Sequence, residues 1–476
     1  MSVVAAFVVP HPPLIVPGVG HGREKDIAAT VAAYEEVARR VGALQPDTLV
    51  ISSPHTTSYL DYLHIAPGRG AHGDFRDFGD RADGSDVTYD QDFVRELARS
   101  ADAAGIPAGT RGEKDPALDW GVLVPLHFIQ RRASGYRVVR MGLAGFSPIE
   151  HYRLGRCVQE VAERLGRRVV YVASGDLSHK LAADGPYGFA PDGPVFDEAV
   201  CAALGSGSFL DLLTMDPGLC ERAAECGLRS FQIMAGALDA TPVRAELLSH
   251  EGPFGVGYGI AAFEAAGPAG SDPSRAFEPA YLAWHERQLA DTRAAEDVYV
   301  RLARASLEHY VRTGSRLEVA RGAEGAASGL ADLPTELTER RAGAFVSLKK
   351  NGQLRGCIGT IAPTRASLAE EIVENAVSAG CHDPRFSPVR ADELPELVYD
   401  VDVLGEPEPV ESCDQLDPAR YGVIVSTPDG RRGLLLPALD GVDTVDEQLH
   451  IAARKGGISL GEKGVRLERF EVVRHL

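Results

Sequence analysis

The 476-residue chain is short of positive charge: 49 Lys and Arg stand against 68 Asp and Glu, for a formal net charge of -19. That balance disfavours nonspecific binding to nucleic acid or to anionic membrane, so any anionic ligand needs a local basic pocket. The seven cysteines, at 157, 201, 220, 226, 357, 381 and 413, have no paired spacing of zinc-finger or redox type and read as reduced thiols. No apolar run is long enough to span a bilayer, and no positively charged region precedes the first apolar run. Neither a membrane anchor nor a signal peptide is expected, and cytoplasmic residence follows. Internal repeats and low-complexity tracts are also missing. What is left is globular: hydrophobic residues are 44% and charged residues 25%, ordinary for folded domains, and the length suggests two or three of them.

Three histidines stand at or just past the end of short apolar runs. His11 follows Val3 to Pro10, His55 follows Thr48 to Pro54, and His179 follows Val169 to Ser178. If those runs are neighbouring parallel strands, their carboxyl ends open on one crevice and the imidazoles converge. Converging imidazoles offer neutral nitrogens to zinc, copper or iron, and one left uncoordinated can exchange protons near neutral pH. A single such histidine is more often a loop or core residue; three repeats of one placement argue for a site.

Periodicity supports the parallel arrangement. Ile27, Val31, Tyr34, Val37 and Val41 recur at helical spacing within Glu24 to Leu44, between the first two strands. A second strand–helix–strand copy follows, with Arg137 to Gly145, a helix from Ser147 to Gly166, and Arg168 to Ala173. The expected fold is α/β, a mostly parallel sheet with flanking helices. Asp61 to Lys114 reads as a long binding-surface loop with one helix, Asp92 to Ala104. Near Ala265 the composition turns to Ala, Gly, Pro and Ser, so the domains are set at 1–264 and 286–476, with a linker at 265–285.

A metal on His11 and His55 needs a further protein ligand, and the candidates are the adjacent Glu225 and Cys226. On a helix they point about 100° apart, so both are not expected on one ion. Two histidines and a carboxylate match nonhaem Fe(II) oxygenases, whereas a thiolate favours zinc or Cu(I). Glu225 and Arg229 also stand at i, i+4 as a surface ion pair would.

Val9-Pro-His11-Pro-Pro-Leu, Ile51-Ser-Ser-Pro-His55, Asp119-Trp-Gly-Val-Leu-Val-Pro-Leu126 and Ser174-Gly-Asp-Leu-Ser-His179 occur in this order. Together they resemble the LigB-type class III extradiol dioxygenases, over roughly residues 1 to 264. The resemblance implies an oxidoreductase with ferrous iron on His11 and His55, His179 as general acid/base, and a catecholic small-molecule substrate. Asp176, three residues before His179, either orients it or closes a turn. The family usually has Asp-His-Gly where this chain has Asp119-Trp120-Gly121, so Trp120 and the nearby His127 become the candidate substrate contacts. Cys226-Gly227 before an apolar helix is similar to the Memo branch, in which a cysteine replaces the carboxylate. This favours Cys226 over Glu225 and admits zinc or copper.

The second domain reads as a smaller α+β unit. A long helical stretch, Glu286 to Gly314, precedes two strand-like runs, Ala344 to Lys349 and Gln353 to Ile361, around the hairpin signal Asn351-Gly352. A helix is expected from Ser367, strands at Glu396 to Leu404 and Tyr421 to Ser426, and a last helix from Thr444 to Arg454. Cys357 sits in Leu354-Arg-Gly-Cys-Ile-Gly-Thr360, where bare backbone lets a ligand approach. It is a candidate nucleophile, with Arg355 and Arg385 as candidate substrate contacts. With Asp383-Pro-Arg-Phe386, Asp392-Glu-Leu-Pro395 and Ala452-Ala-Arg-Lys-Gly-Gly457, the motif resembles the AMMECR family over about residues 286 to 476. A chain with both modules is similar to components of the AmmeMemoRadiSam system, which implies a radical S-adenosylmethionine protein as partner.

Overall fold

The runs that end in histidine are neighbouring strands of one sheet in the computed structural model, which describes residues 2–319, 333–439, 441–442 and 444–476. The chain falls into two units, Met1–His285 and Glu286–Leu476. In the first, strands β1 (Val3–Val9), β2 (Thr48–Ser52), β3 (Arg137–Met141), β4 (Val169–Ser174), β5 (Val243–Glu251) and β6 (Tyr258–Ala265) form a sheet of order β3-β2-β4-β1-β6-β5. The first four are mutually parallel, and β6 and β5 close one side antiparallel. Leu49, Val50 and Ile51 are all fully buried because the sheet is covered on both faces.

Alternate strand residues feed two cores. Ala6, Val8, Val50 and Tyr171 pack on one face, under the helices Gln91–Ala103, α3 (Pro148–Arg164) and α4 (Leu228–Ala237). Phe7, Val9, Ile51 and Val172 pack on the other, under α1 (Ala28–Leu44) and α2 (Trp120–Ile129). Ser147 starts α3 with a capping box to Glu150. The segment 61–114 is more ordered than its composition suggests, since Gly70–Asp74 and Gly84–Thr88 pair as an antiparallel ribbon. The stretch 265–285 carries a 3-10 turn, Pro273–Arg275, and the start of the helix Glu278–Ala295, whose Tyr281 joins the first core. Among the described residues no helix is long and apolar enough to cross a membrane.

The second unit holds two antiparallel sheets. In one, β7 (Ala344–Lys350) lies between β8 (Gln353–Gly359) and β9 (Leu397–Leu404), with Val472–His475 beyond β9. Asn351 and Gly352 form the hairpin at φ 52° and 77°, the positive values that a two-residue turn of this hand demands. Helices α5 (Val298–Thr313) and α6 (Leu368–Cys381) cover this sheet. The other sheet comprises Glu408–Val410, Arg466–Phe470, Gly422–Ser426 and Arg432–Leu435, under α7 (Val445–Lys455). The single helix expected from Glu286 to Gly314 is broken at Asp297. Its carboxylate caps a new helix by accepting from the Tyr299 and Val300 amides at 2.9 and 3.1 Å.

Candidate metal centre

Strand register brings the histidines together. Val9 lies beside Ser174 and Ser52 beside Ala173, so β1, β2 and β4 end at one level. His11, His55, Asp176 and His179 follow within a few residues and share the crevice beyond the carboxyl edge. Close backbone approach adds Cys226: a Cβ on Gly175 would lie 2.1 Å from the Gly227 Cα, so only glycine fits there. That contact lets the Asp176 amide donate to Cys226 Sγ at 3.3 Å.

His11 Nε2 and His55 Nε2 are 2.9 Å apart. Cys226 Sγ is 3.8 Å from His11 Nε2, and Asp176 Oδ2 is 3.8 Å from it on another side. The donor atoms of His11, Asp176 and Cys226 all lie within 4.8 Å of one another, a possible metal site. The proton inventory leaves an acceptor at the centre of this group. Ser174 Oγ gives its one proton to the Gly121 carbonyl at 2.5 Å and so accepts from His11 Nδ1 at 3.1 Å, which leaves His11 Nε2 a lone pair open to an ion or to a proton on His55 Nε2. Two nitrogens each about 2.1 Å from one ion at right angles lie about 3.0 Å apart, close to the spacing found.

Burial pushes the His11 imidazole down to about 3 and that of His55 likewise to about 3, so both nitrogens stay neutral and able to coordinate at ordinary pH. Burial raises the Asp176 carboxyl to about 6, against the His11 amide that donates to it at 2.8 Å. Cys226 is pushed well above the usual thiol range by burial and then by the Asp176 and Glu225 carboxylates. A divalent cation reverses that logic, because a coordinating thiol is deprotonated by the metal itself. His179 Nε2 stands 4.0 Å from Asp176 Oδ2, with Tyr187 stacked on its ring at 5.0 Å.

Two residues without an assigned role in the sequence hold the candidate ligands in place. Ser174 fixes the His11 tautomer, and Asp119 fixes the loop that carries His55. Asp119 accepts from Ser53 Oγ at 2.6 Å and from Thr56 Oγ1 at 2.5 Å, bracketing His55. Trp120, the next residue, stacks on the His55 ring with centroids 3.9 Å apart. Asp119→Asn keeps the shape but turns a donor toward one hydroxyl. We expect metal affinity to fall about 10- to 100-fold, read by chelator competition; unchanged affinity would remove Asp119 from the site.

The remaining candidates sit elsewhere or are already engaged. Glu225 turns from the cluster to accept from the Leu228 amide at 2.7 Å, capping the first turn of α4, and Arg229 makes no ion pair with it within 4.0 Å. His127 is buried on α2 and pairs with Asp83 at 2.7 Å instead of facing the cluster. In the second unit Cys357 is held at both ends of its peptide: its amide donates to Asp383 Oδ2 at 2.9 Å and its carbonyl accepts from Arg385 at 3.2 Å. Arg385 is bidentate on Asp383, and Arg355 is bidentate on Glu393 at 2.9 and 3.1 Å, so both guanidiniums have partners before any substrate arrives.

The Cys357 sulfur accepts from Ser347 Oγ at 3.3 Å. The thiol is only partly buried, and Arg385 donates to the carbonyl of the same residue at 3.2 Å. Burial pushes the thiols of Cys157, Cys201, Cys220, Cys226 and Cys381 upward. With limiting iodoacetamide, peptide mass spectrometry should find Cys357 labelled ahead of the other six. Labelling no faster than at Cys157 or exposed Cys413 makes the motif structural and the unit a binding module.

Residues 5–261 match the family model described as the catalytic LigB subunit of aromatic ring-opening dioxygenase, and residues 300–475 match that of AMMECR1. A protein of Clostridium acetobutylicum, CA_C1420, is 38% identical over 486 aligned residues, covering 100% of this chain and 99% of its own. A protein of Thermotoga maritima is 49% identical over 181 residues, 38% of this chain and 98% of its own. The solved structure of uncharacterized protein PH0010 from Pyrococcus horikoshii is 30% identical over 37% of this chain and 88% of its own. Its TM-score is 0.33, too low to rest the fold on.

Proposed function

On the premise that this chain belongs to the LigB family of dioxygenase catalytic subunits, with an AMMECR1 domain joined to it, we propose that its first domain is a metal-dependent oxidoreductase of dioxygenase type. The carrying observation is the 2.9 Å approach of His11 Nε2 and His55 Nε2, with Cys226 Sγ 3.8 Å from the former. His11, His55 and Cys226 would hold a divalent metal, Fe(II) in this reading, with Asp176 also within 4.8 Å of the His11 and Cys226 donor atoms. When bound, such an ion supplies Lewis acidity that lowers the pKa of a substrate hydroxyl. His179 exchanges the proton, since a neutral imidazole is a base suited to this range. Asp176 faces His11 and His179 and stabilises charge on the latter, while Tyr187 fixes the His179 ring plane. Trp120 covers one face of the His55 ring, and His55 stays exposed to solvent elsewhere. The second domain handles a substrate or a partner.

A second reading is favoured by the thiolate ligand and by Trp120 in the place of a substrate-contacting histidine. In it the metal centre serves a radical S-adenosylmethionine enzyme without ring cleavage. One experiment separates the two: metal analysis of the purified chain, then dioxygen uptake with catechols under Fe(II), with His179→Gln as control. Uptake that His179→Gln abolishes supports the oxygenase; bound metal without uptake supports the second reading; a chain that binds no divalent metal sinks both.

A further inference from the structure

The motif Ala452-Ala-Arg-Lys-Gly-Gly457, which the metal centre leaves unused, ends α7 and borders a cavity of about 740 Å³ in the second unit. The cavity lies between the end of α7 and the segment 457–462, with Ile451, Ala453, Ile458 and Leu460 as its apolar lining. Its volume is that of a small-ligand site. Arg431 holds the outer segment in place, donating to the Gly457 carbonyl at 2.7 Å and to the two Glu462 oxygens at 2.5 and 3.3 Å. The Ser459 amide donates to the same carboxylate at 2.7 Å, so the acid in the lining is already satisfied. Arg454 is the opposite case. It is exposed, and its guanidinium has no hydrogen bond or ion pair among the described residues, because the positions one turn back on α7 are His450 and Ile451 and carry no carboxylate. The Ser459 hydroxyl and the Leu460 and Gly461 amides likewise have no acceptor among the described residues, and a Cβ on Gly461 would meet nothing within 4 Å.

We propose that this cavity binds a small phosphate monoester, its apolar body against Ile451, Ile458 and Leu460 and its phosphate held by Arg454 with the free donors of Ser459, Leu460 and Gly461. The site lies within the second unit and does not rest on the metal-centre reading. The chain carries a formal net charge of -19, so an anion gains little from the surface as a whole and depends on a local guanidinium that is not already paired. The donor set selects among anions. A planar guanidinium engages carboxylate or phosphate through two parallel hydrogen bonds, but only a phosphate has a third terminal oxygen and a charge beyond -1 at neutral pH for the hydroxyl and amides to meet. Because Arg431 fixes the segment 457–462 beforehand, these donors are ordered before the ligand arrives, and little freedom is lost on binding.

Calorimetry on the full chain at pH 7.5 tests the assignment with phenyl phosphate, benzoate and inorganic phosphate. Phenyl phosphate should bind about tenfold more tightly than benzoate, the scale of one further hydrogen bond to a charged group. It should also exceed inorganic phosphate by about tenfold, because burying the ring adds apolar contact. Arg454→Gln should abolish the preference over benzoate, and Arg454→Lys should retain part of it. Arg454 is exposed, so neither variant should disturb the fold. In Leu460→Trp the added indole stands in the lining, and its emission should respond to phenyl phosphate. Equal binding of phenyl phosphate and benzoate, equal binding of phenyl phosphate and inorganic phosphate, a preference that survives Arg454→Gln, or an indole that does not respond overturns the proposal. Chelating any bound metal beforehand should leave all of these results unchanged, which separates this site from the metal centre.

Discussion

Replacing His11 and His55 together by alanine should take bound divalent metal from about one ion per chain to none. The fold should survive. His11 Nε2 is a buried lone pair that faces another imidazole nitrogen at 2.9 Å, so in the metal-free chain the pair contributes little to stability. The backbone contact that ties this loop to β4, from the His11 amide to Asp176, does not involve the side chain. We therefore expect far-UV circular dichroism to be unchanged and the Tm without added metal to stay within about 5 °C. Stabilisation by added metal should disappear, because an ion that binds only the native state raises its stability by mass action. Metal content equal to that of the parent chain would end the assignment of this pair.

The second large effect concerns the identity of the further ligand. Loaded with Co(II) or Cu(II), the chain should give a sulfur-to-metal charge-transfer band that vanishes in Cys226→Ser and persists in Glu225→Gln. Cys226 Sγ lies 3.8 Å from His11 Nε2, within reach of a shared ion, whereas Glu225 is spent on the first turn of α4. The thiol at Cys226 stands well above its usual range in the absence of metal, so coordination must displace its proton. Loading should release acid, measurable in weak buffer, and the release should shrink in Cys226→Ser. A band that survives Cys226→Ser and is lost in Glu225→Gln would restore a carboxylate triad and with it the ferrous oxygenase in its usual form.

Much of this architecture is written locally. Leu49 to Ile51 is apolar because both faces of its strand are covered, and Ser147 with Glu150 announces the start of α3 by the hydrogen bonds they exchange. Asn351-Gly352 tolerates positive φ and so fixes a hairpin. Such signals depend on the sterics of a few adjacent residues, which are the same in any fold. Periodicity alone misses a local competitor: Asp297 caps a new helix, although the helical spacing runs on past it.

The sequence by itself placed His11, His55 and His179 at strand ends and narrowed the further ligand to Glu225 or Cys226. Only the tertiary structure sets Cys226 Sγ 3.8 Å from His11 Nε2 and turns Glu225 to the Leu228 amide, through the close approach of Gly175 and Gly227. The same holds for Asp119, which acts on His55 through Ser53 and Thr56, and for Ser174, whose single proton goes to Gly121 and so sets the His11 tautomer. It also decided that Arg355, Arg385 and His127 have carboxylate partners of their own. A residue type states what a side chain can bond to. Register and close packing determine which partner is in reach, and in a buried site a polar group takes the partner that is there because leaving it unpaired costs more than any alternative.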